Sequence, residues 1–369
     1  MAYNQNKTEQ EENSMNDLKL DHIAIWVEDM DKTIHFFSEI VGWPVHPMSF
    51  EVSAENEDLG PMKGVFLDGN GLWLILMQPT GPGPGMDSLH EMGDGTIFEL
   101  DFEARDHVYD DVIAEMIKKS IKLVKFDGSP IGADGGVIHI GVDLKQGEEI
   151  DEGGARNAHW PKELTFGTGI EMYERPMDDE EQLLNQRDEQ WALLKPDKKG
   201  PPIDHIVIVA KDLERSAKFY TDVLGLKRSP ITIESTPEMN KEMGGYEGIM
   251  IDLNGVYEKT VWLELIQPVG PGLVMDWLKE KGDGAIAEIV AEVDDIEDYY
   301  HEIKSQGVEL VNFDGLPFES NKIGYTVKPH NSRIAYFPEE ISCGTIISVM
   351  QRGPDSTSIL KRRDDMAMD

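Results

Sequence analysis

Cysteine is almost missing. Cys343 is the single one among 369 residues, so it can neither staple the fold nor build a thiolate metal site, and a reducing, cytoplasmic location is expected. Long apolar runs are missing as well. The longest, Leu72–Met77, has six residues, against the roughly 20 that a membrane helix needs, and no membrane association is expected. The stretch MAYNQNKTEQEENSMND is polar and has no apolar centre, so a secretory signal is not expected there. Basic residues are scarce: 34 Lys and Arg stand against 71 Asp and Glu, a net charge of −37. Such a chain repels phosphate backbones, and nucleic acid is not an expected partner. The charge itself reads as solubility or adaptation to salt. What the chain does have is 40% hydrophobic residues, enough for packed cores. Its length suits two domains of about 150–180 residues.

The chain also has an internal repeat. LDHIAIWVEDMDKTIHFFSEIVGW, from Leu20, returns as IDHIVIVAKDLERSAKFYTDVLGL, from Ile203. WLILMQPTGPG, from Trp73, returns as WLELIQPVGPG, from Trp262, and GDGTIFELDFE returns as GDGAIAEIVAE at the same spacing. KFDGSP, from Lys125, matches NFDGLP, from Asn312, and GTGIEMYER, from Gly167, matches GTIISVMQR, from Gly344. The blocks keep their order while their separation drifts between 177 and 189 residues, as in one domain duplicated with length changes in its loops. The domains are read as 17–176 and 201–352. Residues 177–200 read as a linker carrying a helix over Leu183–Leu194, and 1–16 and 353–369 as solvated tails.

Each domain divides again. HIAIWV alternates as a strand does. Asp29 is placed to cap a following helix whose apolar residues Ile34, Phe37 and Val41 recur at helical spacing, and Gly42 stops it. The copy has Asp212, Ala217, Tyr220, Leu224 and Gly225 in these places. A second strand opens at TIFELDFE or AIAEIVAE and leads to a helix over about Tyr109–Ser120 or Ile296–Gln306. The expected fold class is α+β, four βαβββ modules forming mixed, curved sheets.

Residues two apart on a strand share a face. His22, Ala24 and Trp26 therefore lie opposite Ile23, Ile25 and Val27, and His205 repeats the position of His22. Glu99, Asp101 and Glu103 alternate with apolar residues, as do Glu288 and Glu292. These acids either line a concave face or form an ordinary solvated one. A third acid differs between the copies: Glu171 stands where the second domain has Ser348, and Glu264 where the first has Ile75. Glu264 interrupts an apolar strand, and a buried carboxylate must be paired, protonated or metal-bound.

The run DHIAI, capped helix, FFSEIVGW, then WLELIQPVGPG, a second strand–helix unit and GTGIEMYE resembles the vicinal oxygen chelate superfamily of glyoxalases, bleomycin-resistance proteins and dioxygenases. The nearest look is to methylmalonyl-CoA epimerases, once per domain. The resemblance implies two tandem glyoxalase-like cupped sheets, each around a divalent metal with four inward positions. Carried over by position, the ligands are His22, Glu99 and Glu171 in the first domain and His205, Glu264 and Glu288 in the second, with Ile75 and Ser348 as the lost ones. Glu99 and Glu288 stand where histidine is usual, which disfavours an iron dioxygenase. One histidine with two carboxylates suits Mn²⁺ or Mg²⁺ best, with Zn²⁺, Co²⁺, Ni²⁺ or iron as alternatives.

The resemblance implies a small keto, hydroxy or thioester substrate whose enolate the metal stabilises, in an epimerase, isomerase or lyase. The candidate catalytic acids and bases are Glu171 and Asp101, with Glu264 combining roles in the second domain. Trp26, Met77 and Tyr173 are expected to bind substrate, and the first domain to be the more active half. The alternatives are an extradiol-type ring-cleaving dioxygenase, a resistance protein that binds a small molecule without chemistry, and a scaffold. A homodimer stays open, since paired domains in one chain can replace a dimer of single ones. QPTGPGPG and QPVGPG read as turns, with Gln78 and Gln267 capping them. His139 reads as structural. Residues 147–160 read as a lid with His159 and Trp160 at its end within reach of a substrate. Lys361, Arg362 and Arg363 are too few for a nucleic-acid or membrane site.

Overall fold

The computed structural model describes residues 18–364 except 55, 57–58, 106–107, 132–136, 139–140, 145–147, 152–154, 181, 195, 197–199, 238–242, 254, 256–260, 313–314, 319–325, 328–331, 354–359 and 361–362. His139 and most of 353–369 thus lie outside the described residues. The first domain contributes β1 (Leu18–Trp26), β2 (Val45–Val52), β3 (Met62–Asp68), β4 (Trp73–Pro79) and β5 (Ile97–Arg105). It continues with β6 (Val137–Ile138), β7 (Gly141–Leu144), β8 (Glu148–Asp151), β9 (Ala155–His159) and β10 (Gly169–Arg175). They form one mixed sheet in the order β6-β9-β10-β5-β1-β4-β3-β2-β7-β8. Its two modules join through the antiparallel pair β1 and β5.

The second domain repeats this with β11 (Ile203–Val209), β12 (Lys227–Ser235), β13 (Tyr246–Asp252), β14 (Trp262–Pro268), β15 (Ala285–Glu292), β16 (Thr326–Val327), β17 (Ser332–Tyr336) and β18 (Ile347–Gln351). Their order is β12-β13-β14-β11-β15-β18-β17-β16. The fold is α+β with tandem glyoxalase-like modules, and neither sheet closes on itself. The segment read as a lid contains β8 and β9, and the β7–β8 hairpin pairs with β2 instead of hanging free.

Local chemistry explains the elements. Ile23 and Ile25 on β1 and Val27 just after it are buried beneath a helix that starts at Met30. Asp29 caps it by accepting the Lys32 N–H at 3.0 Å. The helix opens into a π-helical turn over Phe36–Val41 and ends at Gly42, whose φ of 91° is left-handed. Asp212 caps the copy through Arg215 N–H, again at 3.0 Å, and that helix also widens to a π turn. The Gly/Pro-rich runs form bends as expected and lead into helices at Pro84–Met92 and Leu273–Lys281. Proline at the first helical positions removes an N–H that has no partner anyway, so it starts the first of these. Gln78 and Gln267 do serve neighbouring backbone, at Glu28 O and Leu213 N–H.

The two domains share one core running from Leu18 to Val349. At its centre two equivalent loops exchange hydrogen bonds: Thr168 donates to Gly284 O at 2.7 Å and Thr345 to Gly95 O at 2.8 Å. A Cβ on Gly95 would fall 2.1 Å from Cys343 O, so glycine is required for this approach.

Residues 177–200 are more than a linker. The helix Leu183–Leu194 packs on the first sheet with Arg187 fully buried. Its anchors are His46, which shares a 3.0 Å hydrogen bond with Arg187 O, and Trp191, which donates to Asp68 at 2.8 Å. The expected solvated tail likewise fails at Leu360 and Arg363, both buried against the second domain. Among the described residues no helix is long and apolar enough to cross a membrane.

Candidate metal centre

Strand register brings the acids of the first domain together. On the concave face His22 pairs with Asp101 and Ala24 with Glu99 across β1 and β5. Glu171 lies beside Asp101 across β5 and β10, and His159 lies beside Glu171 across β9 and β10. Glu99, His159 and Glu171 present donor atoms that all fall within 4.8 Å of one another. His159 Nε2 is 3.0 Å from Glu99 Oε1 and 3.2 Å from Glu171 Oε2. Glu171 Oε1 also accepts a 2.8 Å hydrogen bond from Asn157 Nδ2.

The imidazole that converges on Glu99 and Glu171 is therefore His159, not His22. His22 lines the same cavity but turns elsewhere: Nδ1 meets Asp21 at 2.8 Å and Nε2 lies 3.4 Å from Asp101 Oδ2. A signal for His159 was present. The last repeated block extends upstream, setting Arg156-Asn-Ala-His-Trp-Pro against Arg333-Ile-Ala-Tyr-Phe-Pro, a strand that runs directly beside the one carrying Glu171.

The cluster is electrostatically loaded. Burial pushes Glu99 above the usual carboxylate range against the pull of His159. Burial together with the charges of Glu99 and Glu171 pushes Asp101 well above it, which keeps that carboxyl protonated. Glu171 is also pushed up by burial, but His159 and Asn157 outweigh this and hold it low. Burial works against a charged His159, yet the two flanking carboxylates raise it to about 10.

These residues fit a divalent cation. Both ring nitrogens of His159 and Asp101 Oδ2 are buried without a well-directed hydrogen-bond partner. Neutral imidazole and carboxylate oxygens are the donors that hard and borderline cations take.

The cavity in front of the cluster measures about 110 Å³. Phe50, Phe66, Ile75 and Phe98 wall it, with Met77 and Tyr173 at its side. Gln182, Leu183 and Leu184, from the segment read as a linker, close it. Trp26 is not in this wall. It is buried in the core, stacked on Phe98 at 4.0 Å, and its Nε1 donates to Ser88 at 3.0 Å, so its expected contact with substrate is corrected.

The second cup gathers His205, Glu264 and Glu288 around a space of about 30 Å³, room for little more than a water. No three-donor set forms there among the described residues. His205 is bound on both sides, by Asp204 at 2.6 Å and Glu264 at 3.2 Å, and these acids raise it to about 9 despite its burial. Glu288 faces Ser348, which donates to it, and Tyr336. Burial lifts Glu288 to about 7. Tyr336 and Ser348 occupy the places of His159 and Glu171, so the second cup lacks both partners of its acid.

Residues 19–144 and 202–313 match the family model described as the Glyoxalase/Bleomycin resistance protein/Dioxygenase superfamily. No curated protein matches the chain. Among solved structures, a triple mutant of 4-hydroxymandelate synthase from Streptomyces coelicolor superposes with a TM-score of 0.55 at 13% identity, over 95% of this chain and 99% of that one. This is a likeness of fold. The Mn(II)-bound glyoxalase from Novosphingobium aromaticivorans gives 0.45 at 13% identity, over 90% and 81%. Methylmalonyl-CoA epimerase from Mycobacterium tuberculosis gives 0.32 at 22% identity, over 41% and 88%.

Proposed function

The chain belongs to the glyoxalase/bleomycin resistance protein/dioxygenase superfamily, and from that premise we propose that its first domain is a divalent-metal-dependent enzyme acting on a small keto, hydroxy or thioester substrate, of the epimerase, isomerase or lyase type. The observation that carries this reading is the convergence of Glu99, His159 and Glu171, two of which, Glu99 and Glu171, line an apolar-walled cavity. These three side chains would hold the ion, and the oxygen-rich set favours Mn²⁺ or Mg²⁺ over Zn²⁺, Co²⁺, Ni²⁺ or iron. A bound cation supplies stabilisation of negative charge on a substrate oxygen.

The remaining chemistry belongs to the chain. Asp101 holds a proton on its carboxyl group, and His22 presents Nε2 at 3.4 Å from Asp101 Oδ2. Two groups this close, one protonated and one able to accept, can return and remove a proton at the carbon beside a substrate carbonyl. Phe50, Phe66 and Phe98 keep water from that carbon. In this role Asp101 is the acid and Glu171 an ion ligand, while Met77 and Tyr173 contact substrate. The second cup, with Glu264 and Glu288 around His205, is the supporting half.

A dioxygenase is the second reading. One observation favours it: with His159 in place, the first cup holds two histidines as well as carboxylates, the ligand types of non-haem iron oxygenases. The experiment is to load the protein with Mn²⁺ or Fe²⁺ and offer small keto acids and acyl thioesters in D₂O. Exchange of the proton beside the carbonyl, lost in Asp101→Asn, is expected. Oxygen uptake with iron alone would favour the second reading. Metal binding with neither activity would leave a small-molecule-binding protein.

A further inference from the structure

The strongest feature outside the metal cluster is repeated in both domains. Each opening strand carries a bulge one residue before its histidine, at Asp21 and at Asp204. Adjacent strand residues ordinarily point to opposite faces, and a bulge is the device that re-aims one of them. Here it lets each aspartate reach Nδ1 of the histidine that follows it, at 2.8 Å and 2.6 Å.

Each aspartate is then clamped by an arginine from the segment that trails its domain. Arg187 donates to both carboxylate oxygens of Asp21, at 2.7 and 2.8 Å. Arg363 does the same to Asp204, at 3.0 and 3.1 Å. Both guanidinium groups lie on a tryptophan of the neighbouring strand, Arg187 4.6 Å from the Trp73 ring and Arg363 4.7 Å from that of Trp262. A second arginine, Arg175 or Arg352, reaches each aspartate from the closing strand. The duplication thus includes the trailing segments: Leu184 and Arg187 correspond to Leu360 and Arg363.

An aspartate clamped by two arginines stays ionised and can only accept, so Nδ1 of its histidine must be the protonated nitrogen. We propose that Asp21 and Arg187 are positioning residues, which fix His22 in the Nδ1–H tautomer with the lone pair of Nε2 turned to the cup beside Asp101, and that the trailing helix Leu183–Leu194 is part of the site for this reason. In the second domain Glu264, standing where the first has Ile75, takes the corresponding Nε2 of His205 at 3.2 Å. The same clamp therefore turns Nε2 towards Asp101 in the first domain and towards Glu264 in the second. The proposal rests on the reading that the first cup is the working one, but its readout does not need a metal.

The test is long-range ¹⁵N NMR of the imidazole rings in the full chain, recorded at alkaline pH. The wild type is expected to show His22 with pyrrole-type Nδ1 and pyridine-type Nε2. Arg187→Met keeps the stack on Trp73 but drops both hydrogen bonds. The double variant Asp21→Leu with Arg187→Met removes both charges and leaves neither uncompensated, the arrangement that folded proteins tolerate best. Both are expected to lose the single-tautomer signature at His22 while the His205 pattern is unchanged. A purely structural ion pair would leave the His22 ring unmoved. Retention of one tautomer in both variants overturns the proposal, as does a wild-type His22 protonated on Nε2, a result that stands whether or not the variants fold. Mn²⁺ titration of the same samples is expected to agree within about twofold across variants, since Glu99, His159 and Glu171 are untouched. Absence of Mn²⁺ binding in the wild type would remove the metal reading and leave the tautomer result standing.

Discussion

His159 and Tyr336 occupy one place in the two domains: each is bridged to a valine, Val124 or Val311, and each faces an acid of the strand that opens the second module, Glu99 on β5 or Glu288 on β15. An imidazole there can give a lone pair to a cation. A phenol held well above its usual range by burial, as Tyr336 is, can only share its proton with Glu288. This one exchange, with Ser348 for Glu171, separates a cluster fit for metal from one closed by hydrogen bonds.

Metal content is the first consequence. We expect one Mn²⁺ per chain, lost in Glu99→Ala and in His159→Ala and kept in Glu288→Ala, as measured by elemental analysis after gel filtration. Loss of a group that merely supports a ligand costs roughly 10–100-fold in affinity, so loss of a ligand should cost at least that. Equal losses from Glu99→Ala and Glu288→Ala would contradict the asymmetry of the cups.

Asn157 supplies a graded version of the same test. Its amide is 2.8 Å from Glu171 Oε1, so Asn157→Leu should weaken Mn²⁺ by roughly 10–100-fold without abolishing it. Calorimetric titration checks this, and an unchanged affinity would show that Glu171 does not need the support.

The second cup should be convertible. Tyr336→His with Ser348→Glu rebuilds the histidine and the second carboxylate around Glu288. A second ion per chain is expected, held more weakly because the space there is about 30 Å³ against about 110 Å³ in the first cup. A chain that still binds one ion would show that backbone spacing, not side-chain identity, sets the site.

Three buried groups give pH dependences, two of one sign and one of the other. Glu288 sits at about 7 in the fold against an ordinary 4.5, so the folded state binds the extra proton, and stability falls as pH rises from about 4.5 to about 7. The effect is up to roughly 3 kcal/mol. His205, raised to about 9, adds stability that is complete below 6.5 and is lost as pH rises through 9. His46, lowered by burial to about 4, does the reverse of Glu288: its contribution is lost as pH falls from 6.5 towards 4. The two windows overlap with opposite sign, so the slope of urea midpoint against pH should turn more positive between about 4.5 and 7 in Glu288→Gln and more negative between about 4 and 6.5 in His46→Gln. If Glu288→Gln unfolds with the same pH slope as the wild type, its raised pKa is refuted.

The duplication, the α+β modules and the concave acid row were legible in the chain itself, because repeats and strand alternation are properties of residue order. The capped helices after Asp29 and Asp212, and the burial of Ile23, Ile25 and Val27, follow from spacing alone. The resemblance brought Glu99 and Glu171 together, but that His159 joins them was not legible. Glu99, His159 and Glu171 come from β5, β9 and β10, and only sheet register decides which strand lies beside which. For the same reason Trp26, on the expected face, stacks on Phe98 in the core instead of meeting substrate. Arg187 and Arg363 looked like residues of a linker and a tail because nothing local marks an arginine for burial. Their place is set by buried aspartates more than 150 residues away, and a charge is drawn out of water only where tertiary structure has already put its partner.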